Sequence, residues 1–133
     1  MPKQPASRRP VFDASAIVAV LNGEPGSEGA LPRMDGAAIS AVNLAEVASY
    51  LSDRGASADE VSYRLGALRL DVFPLDGEQA LEVGALRRST RAFGLSLADR
   101  ACLALAARLN GVALTTDRAW SKLDIGVEIE LIR

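Results

Sequence analysis

The sequence predicts an α/β fold, a three-layer sandwich in which a central five-stranded, mainly parallel sheet is flanked by helices. Two observations carry this. Short apolar strand-like pieces alternate with helical pieces of ten or more residues, a spacing that imposes parallel pairing through right-handed crossovers. The 133 residues, 49% hydrophobic and 24% charged, suit one domain with a real core rather than a disordered or membrane-embedded chain.

The elements follow in order. Residues 1–9, within "MPKQPASRRP", combine prolines and basic residues without an apolar period and read as a flexible arm ahead of a single domain over 10–133. A strand at 10–12 leads into a helix over 15–21, stopped by "NGEPG". "AAIS" (37–40) is a second strand, and "NLAEVASYLSDR" (43–54) a helix with Leu44, Val47, Ala48 and Leu51 at spacings of three and four. Ser57 and Glu60 form a capping-box pattern for a helix over 58–70. "DVFPL" (71–75) is a third strand, placed by Pro74 at an edge or a strand end. Asp76 caps a helix over 77–92, and Ser96 opens another over 97–109 that "NG" closes. "VALT" (112–115) is the fourth strand, a helical turn surrounds Trp120, and "EIELI" (128–132) is the fifth strand.

Composition then narrows the chemistry. Histidine is absent, which removes Ser-His, Cys-His and imidazole-zinc mechanisms and leaves carboxylates, hydroxyls, Lys and Arg, with a hard metal ion. The single cysteine, Cys102, sits in the apolar run "ACLALAARL" and reads as a small core residue. No stretch approaches the roughly 20 apolar residues that span a bilayer, so the cytoplasm is the expected compartment. Formal charge is uneven: −5 over residues 1–85 and +3 over 86–133, out of a total of −2.

In parallel sheets ligands gather at the carboxyl ends of the strands. Four acids stand out by position: Asp13 after the first strand, Glu46 within the second helix, Asp99 in the first turn of the last long helix, and Asp117 after the fourth strand. Each has an ordinary alternative. Asp13 or Ser15 caps a helix, Glu46 is a solvated helix residue, Asp99 completes a capping box with Ser96, and Asp117 caps the next turn. The set carries more weight than its members.

Together, "VFDASAIVAVLNGEPG", "ISAVNLAEV", "GLSLADRACLALAARLNGVALTTDRAW" and "VEIELI" resemble the PIN-domain ribonucleases, especially the VapC-type toxins of type II toxin–antitoxin systems. The likeness runs from Val11 to Arg133 with the elements in family order. It implies an acidic pocket of Asp13, Glu46, Asp99 and Asp117, both catalytic and holding Mg²⁺ (or Mn²⁺), with the hydroxyls of Ser15 and Thr115 in support. Asp117 occupies the family's most variable acid position. The implied activity is metal-dependent endoribonuclease cleavage of RNA by a metal-activated water, in a homodimeric toxin held by a cognate antitoxin.

Crowded carboxylates raise one another's pKa unless a cation balances them, and Mg²⁺ takes such oxygen ligands, so the implied chemistry is self-consistent. The pocket repels RNA, and Arg87, Arg88, Arg91 and Arg100 are the expected phosphate contacts; the alternative is a solvated helical face. An apolar groove lined by Leu51, Tyr63 and Leu65 is the expected seat of an amphipathic antitoxin segment, the same three residues reading otherwise as core. Two rival readings remain. A phosphatase of the haloacid-dehalogenase type needs a second aspartate where Ser15 stands, and a non-catalytic PIN-like RNA- or protein-binding domain would keep the acids for structure.

Overall fold

Three short strands that are apolar on both faces can only be stable under helices on both sides. The computed structural model, which describes residues 8–132, has this arrangement. β1 (Pro10–Phe12), β2 (Ala38–Ser40), β3 (Asp71–Phe73), β4 (Val112–Thr115) and β5 (Glu128–Leu131) form one sheet in the order β3-β2-β1-β4-β5. Every pairing is parallel, with Val11 opposite Ala38 on one side and Ala113 on the other.

The period-two alternation sorts the core. Phe12, Ile39 and Leu114 face α1 (Ala14–Leu21) and α2 (Ala41–Asp53), burying Ile17, Val47 and Leu51. Val11, Ala38 and Ala113 face α6 (Leu97–Leu109), packing on Cys102, Leu103 and Leu105 with Trp120 beside them. α3 (Ala58–Gly66) lays Val61 and Leu65 against the first cluster, and α4 (Gly77–Ala85) sets Val83 against Ala101 and Ala104 of α6. Among the described residues no helix is long and apolar enough to cross a membrane.

The sheet's edges are guarded. Pro74 follows edge strand β3, and on β5 Glu128 pairs with Arg8 and Glu130 with Arg33. Proline and charge of this kind discourage pairing with a foreign strand. Of the expected arm, residues 1–7 lie outside the described residues. Arg9 donates to the Gly36 carbonyl at 3.1 Å and to Asp71 at 2.5 Å, its guanidinium 5.3 Å from the Phe73 ring centre, so this part is held.

The structure corrects several expected elements. The helix expected over 77–92 stops at Ala85 and restarts as the single turn α5 (Arg87–Thr90) and a 3₁₀ turn at Arg91–Phe93. The helix expected over 58–70 ends at Gly66, after which Arg69 takes a left-handed φ of 56°. Two 3₁₀ turns, Ser27–Gly29 and Leu31–Arg33, occupy a segment to which the sequence reading assigns no element.

Candidate functional site

Because β1 lies at the centre and the chain leaves it first toward β2 and later returns to β4, the topology reverses there. A crevice at the carboxyl ends of β1 and β4 is where such a sheet binds ligands. Asp13 stands at that point. Its extended backbone ends β1 and caps α1, and its Oδ1 accepts from the Ala16 N–H at 2.8 Å.

The carboxylate is 4% exposed, and both its oxygens are engaged. Ser15 Oγ donates to Oδ1 at 2.7 Å and Thr115 Oγ1 donates to Oδ2 at 2.5 Å. An ionised carboxylate can only accept, so both hydroxyls give it their protons, while Ser15 Oγ accepts from the Thr116 N–H and Thr115 Oγ1 from the Asp117 N–H, both at 3.1 Å. Backbone dipoles of the turn after β4 are thereby relayed onto Asp13.

Burial nevertheless dominates and pushes the Asp13 carboxyl from 3.8 up to about 6. The bonds from Thr115, Ala16 and Ser15 oppose the rise, and the charge of Asp99 adds to it. In the absence of metal the folded state therefore holds a proton that the unfolded chain releases near pH 4, and stability falls as pH rises from about 4 to about 6. The magnitude is about 2 to 3 kcal/mol. With EDTA present, Asp13→Asn is expected to gain by that amount relative to the wild type between pH 4.5 and pH 7. Melting curves of the two proteins at both values check this, and parallel pH dependences would contradict it.

The other acids lie around this point in different states. Asp99 is half-buried and completes a capping box, its Oδ2 accepting from the Ser96 N–H at 2.9 Å. Glu46 is exposed on α2, and Asn43 Nδ2 donates to its Oε1 at 3.2 Å. The charges of Asp13, Asp99 and Glu46 all reach Cys102 beneath them, adding to the burial that lifts its thiol well above the ordinary range. Asp117 is exposed and turns Oδ1 to the Ala119 N–H at 3.0 Å, joining the network through its own N–H.

Among the described residues no three His, Cys, Asp or Glu side chains are placed as they stand to share a metal ion. The donor chemistry, all oxygen, still suits a hard divalent cation, and Asp13 Oδ2 takes one hydrogen bond, leaving it a lone pair.

Among the expected RNA contacts, Arg87, Arg88 and Arg91 are exposed and form no ion pair among the described residues. Arg100 is a correction. It is 8% exposed and donates Nη1 to the Val83 carbonyl at 3.0 Å, so it ties α6 to α4 instead of standing on the surface as the expected contact would. The expected groove is also rearranged. Leu51 is core and Leu65 packs against core, while Tyr63 stands 80% exposed. The concavity nearby, about 250 Å³, is lined by Leu44, Ser62, Leu65, Gly66, Leu70 and Val72. Sequence reasoning missed Asn43, a buried amide on α2 that touches both Glu46 and the first turn of α6.

The sequence profile of the PIN domain matches residues 11–126. No curated protein sequence matches the chain. Among solved structures, Rickettsia felis VapBC2, bound to a DNA fragment from its promoter, is similar at a TM-score of 0.72 and 18% identity, over 93% of this chain and 98% of that one. DNA-bound VapBC from Salmonella typhimurium has a TM-score of 0.72 and 18% identity, over 95% and 99%. VapBC-5 of Mycobacterium tuberculosis, a member of the VapBC family of toxin–antitoxin systems, has a TM-score of 0.58 and 24% identity, over 95% and 98%. At these identities the structural likeness speaks to the fold.

Proposed function

Because this chain belongs to the PIN domain family, we propose that it is a metal-dependent endoribonuclease acting as the toxin of a toxin–antitoxin pair. The observation that carries the reading is Asp13: a buried carboxylate at the topological switch, gripped on both oxygens, with the charges of two further acids converging beneath it. Such a group is costly to keep unless it is used.

In this reading Asp13, Glu46, Asp99 and Asp117 would hold Mg²⁺ or Mn²⁺. The ion would supply the positive charge that the carboxylates and a phosphodiester transition state both call for. Ser15 and Thr115 fix the rotation of Asp13, leaving an unengaged lone pair on Oδ2 for the ion. Arg87, Arg88 and Arg91, exposed and without an ion pair among the described residues, would offer cations to the RNA backbone. A cognate antitoxin would inhibit by lending an Arg or Lys to the acids, and the chain would act as a cytoplasmic homodimer. The VapBC assemblies that share the fold support the partner assignment.

Purified protein should cleave RNA with Mg²⁺ or Mn²⁺ and lose that activity in EDTA. Expression of the wild-type chain alone should slow growth, whereas Asp13→Asn should be tolerated. Cleavage undiminished by EDTA would overturn the mechanism, and equal tolerance at equal expression would overturn the toxin role.

A further inference from the structure

Asn43 is 1% exposed on α2, three residues before Glu46. Its Nδ2 donates twice, to Glu46 Oε1 at 3.2 Å and to the Ala98 carbonyl at 3.1 Å. Both partners only accept, so the amide has one possible orientation; turning it over would press Oδ1 against two oxygens. Ala98 immediately precedes Asp99 in the first turn of α6, and Glu46 otherwise stands on an exposed helix face. One NH₂ group thus ties an acid of one helix to the backbone that carries an acid of another.

Left alone, Glu46 would sample several rotamers, and two helices carrying like charges would tend to separate. The second donor of Nδ2 restrains α2 against α6, while the first restrains the Glu46 carboxylate. Oδ1 is buried without a hydrogen-bond partner among the described residues, an expense justified where the amide's other end serves the site.

We infer that Asn43 is a positioning residue that presets the Glu46 carboxylate relative to the Asp99 turn and so raises the affinity of the acid set for a divalent cation. The inference rests on the metal-dependent reading proposed above. Residues that orient metal ligands without touching the metal typically contribute about ten- to a hundredfold to affinity.

The test is a titration with Mn²⁺ alone, without RNA, following the rise in melting temperature of the wild type, Asn43→Leu and Gln79→Leu. Leucine keeps the branched outline of the amide, with bulkier methyl ends, and removes its donors; if Asn43→Leu does not fold, Asn43→Ala replaces it. Gln79 is a second amide, 1% exposed, on α4, with its Nε2 unpartnered among the described residues, and controls for the loss of a buried polar group. The expected result is that Asn43→Leu needs about ten times more Mn²⁺ for the same stabilisation, whereas Gln79→Leu titrates like the wild type. An unchanged Asn43→Leu midpoint, or equal displacement in both variants, overturns the inference and leaves the nuclease reading standing. A wild type that Mn²⁺ does not stabilise overturns both.

Discussion

Asp13→Asn should lose RNA cleavage by on the order of a thousandfold while remaining folded. The size follows from the several kcal/mol that a correctly held metal contributes to a phosphoryl-type transition state, each 1.4 kcal/mol being about tenfold in rate. The fold should survive because the replacement is isosteric and its hydrogen bonds can be kept. Oδ1 of asparagine can accept from Ser15 Oγ and the Ala16 N–H as the aspartate does, and the hydroxyl of Thr115 can turn away from the new NH₂ group, toward Ser15 Oγ 3.4 Å distant. Near neutral pH the substitution also removes a buried charge that burial disfavours. Circular dichroism and single-turnover cleavage at saturating Mn²⁺ separate the two effects. A variant that cleaves within a fewfold of wild type would show that the charge of Asp13 is not needed.

Gly111→Ala should be the most damaging single-methyl change on this backbone. A Cβ at Gly111 would lie 2.5 Å from the Arg9 carbonyl oxygen and 3.0 Å from Val11 Cγ2. The same carbonyl accepts from the Val112 N–H at 2.9 Å, so it cannot move without opening the first rung between β1 and β4. Overpacking usually costs about 1 to 3 kcal/mol, and a clash with backbone belongs at or above the top of that range. A loss of about 3 kcal/mol corresponds to a melting temperature lower by roughly 10 °C for a domain of this size. Gly84→Ala in α4 is the matched control. Nothing lies within 4 Å of its added methyl, and replacing a helical glycine by alanine should stabilise by about 0.5 to 1 kcal/mol. Equal melting points for the two variants would remove the argument.

The stretch from Ser96 to Thr115 was legible because its boundaries are written in side chains. A capping box opens α6 at Leu97, Asn110 closes it in a left-handed turn at φ 51°, and β4 follows at Val112 as expected. The place of Asp13 was legible because a carboxylate directly after a central parallel strand has few places to point, and it ends β1 and caps α1 there. What stayed hidden was set by burial. Arg100 was expected at the RNA as the basic residue after Asp99, yet α6 is buried from Arg100 to Ala106, and the unbroken apolar run that follows it was the available signal. Asn43 was overlooked because an amide near a helix start is unremarkable until its burial is known. The N-x-x-E spacing to Glu46 was the one hint. The break at Leu86 has no comparable cue, because Arg87 and Arg88 are good helix formers.

The pairing of β1 with β4 bears on when the crevice can exist. Asp13 receives its Thr115 hydrogen bond from 102 positions further along the chain, and β1 has β4 as one of its two neighbours. At roughly 5 to 20 residues per second of translation, the second residue follows the first by about 5 to 20 s. During that interval an emerging chain can pair β1 with β2 alone. Asp13 then lacks Thr115, the backbone N–H groups behind it, and the far wall that α6 provides. Any nucleolytic capacity is therefore withheld from the nascent polypeptide until synthesis has passed Thr115, a delay written into strand order rather than into any inhibitor.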